Sequence, residues 1–342
     1  MIPALATVLS LLAAPTTPTW VEQPIPATGT TFDSISSRGG ALWGVGSSRE
    51  DGKDWDHPVA ARWENGEWHP TAQPRAFGRL MDVEVRSAND VWAVGSWGEP
   101  DGPSRPLVQH WDGTAWREIP LPSHPDGLLQ SVAVVEDEIW VVGVEGEQST
   151  VFVERYNGKS WLPLTDDVLG VPGYASDIAA VSPIDIWVAA FDDGIKHYDG
   201  NGWTKAALPG AAGVYVNDFA VVGPNDIWAV GHREDPVYYR TPVAYHFDGK
   251  RWSEVRTPRQ TGQPLAVDVV NGKPFIVGDG WGDRETTALR WTPTGFVDVP
   301  APTKPSVLFG ATVHNGRFWA LGWQESKLEG LQDTYLAEVS GE

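Results

Sequence analysis

No cysteine occurs in the 342-residue chain, and methionine occurs only twice. The first absence excludes disulfides, thiolate nucleophiles and Cys-ligated zinc, and it leaves the redox compartment open. Basic residues are scarce as well: 25 Lys and Arg stand against 45 Asp and Glu, a formal net charge of -20. Such a field repels phosphate backbones and anionic lipid, which argues against nucleic acid and membrane surfaces as partners. Long Ala/Leu/Glu/Lys stretches are missing and 28 Pro are scattered along the chain, so a helical bundle or coiled coil is excluded. No nucleophile elbow, His-Glu-x-x-His, phosphate loop or dinucleotide fingerprint is present. What is abundant is aromatic and apolar: 19 Trp, 37 Gly and 41% hydrophobic residues describe a chain that folds, with all-β the expected class.

The longest apolar run is N-terminal. Residues 1–14 (MIPALATVLSLLAA) are too short to span a bilayer and lead into a Thr/Pro linker. This pattern is expected of a secretory leader over 1–16, cut near Ala13 or Ala14, although no Lys or Arg precedes the run. Residues 17–342 would then form the exported domain.

One phrase recurs seven times along that domain. Its root is an apolar strand on an aromatic: Trp43, Trp92, Trp140, Trp187, Trp228, Phe275 and Trp319, spaced 49, 48, 47, 41, 47 and 44 residues apart. Periods of this length, with four short strands in each, predict a β-propeller of seven four-stranded antiparallel blades. Asn65-Gly66, Asp112-Gly113, Asn157-Gly158, Asp199-Gly200 and Asp248-Gly249 supply the positive φ that tight hairpins need, and a fourth strand opening on Trp follows each of them. The seventh repeat ends without a fourth strand. Trp20-Val21-Glu22-Gln23-Pro24 matches Trp116-Arg117-Glu118-Ile119-Pro120, so the N-terminal segment is expected to complete the last blade and remove its open edge.

The phrase at 89–95 and 110–116, Asn-Asp-Val-Trp-Ala-Val-Gly followed by His-Trp-Asp-Gly-x-x-Trp, resembles the repeats of secreted actinobacterial β-propellers related to kelch and tectonin-type lectin propellers. The chain also looks like the propeller lectin subunits of secreted antibacterial umbrella toxin particles. The resemblance covers nearly the whole domain and implies a binding or adaptor role, although one propeller carries many functions. Galactose oxidase-like chemistry does not fit, because that family needs a Cys cross-linked to Tyr. The phrase at 158–161 is similar to the docking phrase of quinone-dependent propeller dehydrogenases, which usually have eight blades.

Fifteen of the 19 Trp sit at repeated strand positions and belong to the core. The other four, Trp55, Trp97, Trp281 and Trp323, fall in the long connections between second and third strands, all on one face of the ring. Those connections carry more than half of the net negative charge. Indole faces beside carboxylates suit sugars, so Trp55, Trp97, Trp281 and Trp323, with Tyr238, Tyr239, Asp54, Asp56, Asp101 and Asp283, are candidates for carbohydrate binding. The alternative is that each Trp packs on the adjacent blade and the acids are solvated. A basic peptide or cation fits the same charges.

Asp33, Asp82, Asp177, Asp218 and Asp268 share one position at the start of the first strand, with Ser131 and Gly310 in the remaining repeats. Lining a channel mouth, these acids would take Ca²⁺ or the basic end of a partner chain; serving the repeat, each would bond local backbone. Periodic placement makes His110, His197 and His246 scaffold residues, and Asp90, Asp185 and Asp226 are expected to bond turn backbone. The expected function is a secreted, non-catalytic module recognising a surface glycan, a partner protein of a secreted complex, or both. A polysaccharide lyase or glycosidase, and a pure assembly scaffold, are the alternatives, since paired acids from different blades leave no spacing rule.

Overall fold

The computed structural model describes residues 18–27, 29–49, 56–99, 102–146, 149–170, 172–190, 194–237, 239–280, 286–302, 304, 307–325 and 332–340. Within them the chain forms 28 strands in seven four-stranded sheets. Six sheets are sequential meanders, covering 30–70, 79–118, 128–163, 175–205, 214–255 and 263–298 as blades 1 to 6. The seventh joins 307–340 to Thr19–Glu22, which lies antiparallel on the outer edge of Gln332–Ser340 with Trp20 opposite Val339. Each innermost strand packs on the next around a closed circuit, from Thr30–Arg38 through Arg79–Ser87 and onward until Val307–His314 returns to Thr30–Arg38. The ring therefore closes as the Trp-for-Trp match requires.

Apolar alternation on both faces of each sheet builds the core between neighbouring blades rather than at the centre. Trp43 of blade 1 packs with Trp111 and Trp116 of blade 2, and Trp187 of blade 4 with Trp252 of blade 5. The fourth-strand indoles also link blades by hydrogen bonds. Trp68 Nε1 donates to Pro24 O at 3.1 Å, Trp161 to Pro120 O at 2.9 Å, Trp203 to Leu164 O at 2.6 Å and Trp20 to Pro300 O at 2.7 Å. Each reaches the outer edge of the preceding blade, so the same residue supplies apolar area and a directional tie.

Every inner strand carries a β-bulge near its start, where one residue is inserted opposite the second strand: Asp33, Met81, Gln130, Ser176, Asn217, Leu265 and Phe309. A bulge tightens the twist and re-aims the side chains that follow it. It also accounts for the glycine closing the repeated Trp strand. A Cβ on Gly95 would lie 2.0 Å from Arg79 O, and one on Gly231 would lie 1.9 Å from Tyr215 O, so the bulged backbone fills the space a side chain would need. Blade 4 carries Ala190 at this position.

Candidate functional site

The inner strands enclose a central cavity of about 840 Å³ whose wall includes Asp33, Asp82, Glu84, Asp177, Asp218 and Asp268. Register corrects the single repeat position expected for five of these acids. Asp82, Asp177 and Asp218 immediately follow their bulges, as do Ser34 and Ser131. Asp33 is itself the bulged residue, and Asp268 stands two residues beyond the site, level with Glu84. Spacing alone could not separate them, because an inserted residue leaves no mark in the sequence.

These carboxylates stitch blade to blade. Asp82 Oδ2 accepts from Val132 N at 2.9 Å, Asp177 Oδ2 from Phe219 N at 3.0 Å, and Asp218 Oδ2 from Val267 N at 2.7 Å, each donor lying on the inner strand of a following blade. Asp268 accepts from Val269 N at 2.6 Å and from Val313 N of blade 7. Asp33 instead pairs with both Nε and Nη2 of Arg79. The acids line the channel, and Asp82, Asp177 and Asp268 also bond the next amide of their own strand. Among the described residues no three acidic or histidine side chains converge on a point that would hold a metal ion, because these oxygens are turned to amides and hydroxyls.

Ser131 lies 2.8 Å from Asp82 Oδ2 and 2.8 Å from Asp177 Oδ1. Its hydroxyl has one proton, so both contacts are hydrogen bonds only when one carboxyl is protonated. Asp177 and Asp218 bond each other under the same requirement. The acidities agree. Burial and the charge of Asp177 push Asp82 up to about 6, burial and Asp82 push Glu84 up to about 8, and burial raises Asp268 to about 6. Burial also raises Asp177 and Asp218. At neutral pH the channel wall holds protons and carries less charge than its acids imply.

The long-loop rim is the second feature. Of its ten candidates, Asp54, Trp55, Asp101, Tyr238, Trp281 and Asp283 lie outside the described residues. Trp97 is half-buried, with the Arg75 guanidinium 3.7 Å above its ring and that of Arg105 at 5.3 Å. Arg75 is fixed by a bidentate pair to Glu118 at 2.6 and 2.8 Å, so one face of Trp97 is covered. Tyr239 is 71% exposed at the start of the third strand of blade 5.

Trp323 and Asp56 are brought together. They line a pocket of about 300 Å³ with Gly29, Thr31, Ser47, Arg49, Arg79 and Gln332, at the strand ends where blades 7, 1 and 2 meet. Trp323 packs on Phe309 with ring centres 4.5 Å apart. Asp56 Oδ1 accepts from Arg49 Nε at 3.0 Å and lies 2.8 Å from Arg49 Nη2. The pocket is thus lined by one indole, hydroxyl and amide groups, two guanidiniums and one carboxylate. Arg49, Arg79 and Gln332 were not among the sequence candidates, because indoles and acids guided that search. Glu84 was missed too, although strand alternation places it on the same face as Asp82.

The repeated histidines are scaffold, with a partner other than the one expected. His110, His197 and His246 lie 3.0, 2.8 and 2.9 Å from Asp90, Asp185 and Asp226 and stack on Trp92, Trp187 and Trp228. The aspartates therefore bond imidazoles across the blade rather than turn backbone.

No family model matches the chain, and no curated protein matches it. Solved structures do. The WD40 β-propeller domain of Doa1 is 13% identical with a TM-score of 0.63, the match covering 94% of this chain and 97% of that one. YCF48 bound to D1 peptide is 15% identical with a TM-score of 0.61, covering 98% and 99%. At these identities the likeness is one of fold, and the fold it establishes is the seven-bladed β-propeller.

Proposed function

We propose that this protein is a secreted, non-catalytic binding module that recognises a carbohydrate through its long-loop face, with the pocket between Trp323 and Asp56 as its site. One observation carries the reading: a pocket of about 300 Å³ combines an indole wall with hydroxyl, amide, guanidinium and carboxylate groups at the ring seam. An indole takes the C–H face of a sugar while edge groups bond its hydroxyls. The resemblance to secreted lectin propellers supports export and the ligand class. Asp56 is the one carboxylate lining the pocket among the described residues, whereas glycoside hydrolysis by paired acids needs two about 5–10 Å apart.

The test is a glycan panel probed with the purified protein and with Trp323→Ala and Asp56→Asn. Reversible retention of a glycan released unchanged, reduced about tenfold or more in either variant, is expected. Shortened or oxidised glycan would replace the lectin reading with an enzymatic one. Retention of no glycan, with tight capture of a secreted protein, would replace it with an adaptor role in a secreted complex of the umbrella toxin kind. That second reading draws on YCF48, whose solved structure holds a D1 peptide, and on the acid-lined channel, whose mouth suits a basic segment.

A further inference from the structure

We infer that the sugar held in the Trp323 pocket is acidic, a uronate-type residue whose carboxylate is read by Arg49 and Arg79. This rests on the carbohydrate reading above and narrows it. The whole chain has nearly two acidic residues for each basic one, yet this pocket gathers two guanidiniums, each matched by one carboxylate, Asp56 in the lining and Asp33 behind Arg79. Both arginines are held in place. Arg79 gives Nε and Nη2 to Asp33, whose side chain is only 6% exposed, so the guanidinium is anchored from beneath the pocket. Arg49 gives Nε and Nη2 to one oxygen of Asp56, and its backbone N donates to Gly29 O at 3.1 Å. The side chains stay 43% and 34% exposed for Arg49 and Arg79. Among the described residues, each therefore keeps its Nη1 group outside its ion pair.

Those two groups are donors without a proton to lose, and donors in excess call for an acceptor that carries charge. A neutral sugar presents hydroxyls, whose oxygens accept from a guanidinium but carry no charge. A carboxylate accepts only and pairs with guanidinium more strongly than a neutral oxygen does.

The experiment compares affinity for uronate oligosaccharides with that for their neutral parents of the same linkage and length, by calorimetry on the whole protein. Expected is at least tenfold tighter binding of the uronate form. Arg49→Gln should remove that preference, and Arg49→Lys should restore it in part, because charge returns without the fork. Arg49→Lys also guards against loss through misfolding, since it keeps the cation beside Asp56, and the far-UV CD of each variant should match the parent. Equal affinity for neutral and acidic forms, unchanged in Arg49→Gln, would overturn the inference while leaving the carbohydrate reading intact. Failure to bind either form, or any other glycan, would overturn both.

Discussion

At the scale of single residues, the consequential groups are buried ones whose charge the fold opposes. Glu84 takes Ser36 Oγ at 3.2 Å as its hydrogen-bond partner and has Asp82 two residues away on the same wall. With its pKa raised from 4.5 to about 8, the native state keeps a proton that the unfolded chain has already released between those two pH values. Its contribution to stability is therefore complete at low pH and is lost as pH rises toward about 8. Glu84→Gln should stabilise the protein at pH 8.5 by on the order of 2 kcal/mol and change little at pH 4.5. Urea unfolding of both proteins at the two pH values measures this, and equal midpoints at the alkaline pH would contradict it.

His124 is the complementary case. It lies between Glu145 Oε2 at 2.7 Å and the fully buried Glu154 Oε1 at 3.1 Å, stacked on Phe152. Burial pulls the imidazolium's pKa down, but the bonds to the two glutamates outweigh it and the net direction is up. The cation's stabilisation is thus present below the ordinary histidine value and fades as pH climbs through the raised one. His124→Ala leaves Glu154 buried without this partner, and a loss of about 3–5 kcal/mol at pH 6, read by urea unfolding, is expected.

At the scale of the element, the bulge governs what each repeat can tolerate. Gly231→Ala would drive a methyl to 1.9 Å from Tyr215 O, so the two strands must separate, with a cost of roughly 2–4 kcal/mol. A thermal midpoint within one or two degrees of the parent would show that the bulge yields more easily than this geometry allows. The closing strand offers a second test. Trp20 packs edge-on to Phe275 and bonds Pro300, joining the N-terminus to blade 6 as well as blade 7. Trp20→Ala should cost about 3–5 kcal/mol, and the uncovered edge of Gln332–Ser340 should promote self-association, visible by light scattering.

The element scale also shows where the sequence was easy to read and where it was opaque. The Trp strands, Asn-Gly and Asp-Gly hairpins and closing strand were legible because they follow from spacing and from residue types with narrow backbone preferences. The bulges were not, since an inserted residue changes register without changing the period. Asp33 and Asp268 were accordingly grouped with Asp82, Asp177 and Asp218, from which the structure separates them.

At the scale of the whole molecule, charge and protonation combine. The net charge of -20 favours expansion as pH rises, and Asp82, Glu84, Asp268 and His124 all contribute more stability on the acid side. Against them, the hairpin carboxylates Asp112, Asp199 and Asp248 are lowered by local hydrogen bonds, so their stabilisation is lost as pH falls below the usual carboxylate range. Thermal stability should peak at roughly pH 5–6 and decline toward pH 8, with added salt recovering part of the decline. A scan with its maximum above pH 7.5 would show that the channel acids ionise freely.

The sequence by itself determined the ring: its blade number, the strand order within each blade, its core indoles and the place where its ends meet. Those features depend on contacts repeated at one period, and a period survives without coordinates. It also led to the expectation that one face carries the spare aromatics and acids. Only the tertiary structure decided which of them meet, because a pocket made by Arg49, Asp56, Arg79 and Trp323 gathers three blades whose residues are far apart in the chain. It likewise covered Trp97 with Arg75 and gave the channel carboxylates to backbone amides of neighbouring blades, since partners across a blade boundary are set by how the sheets pack.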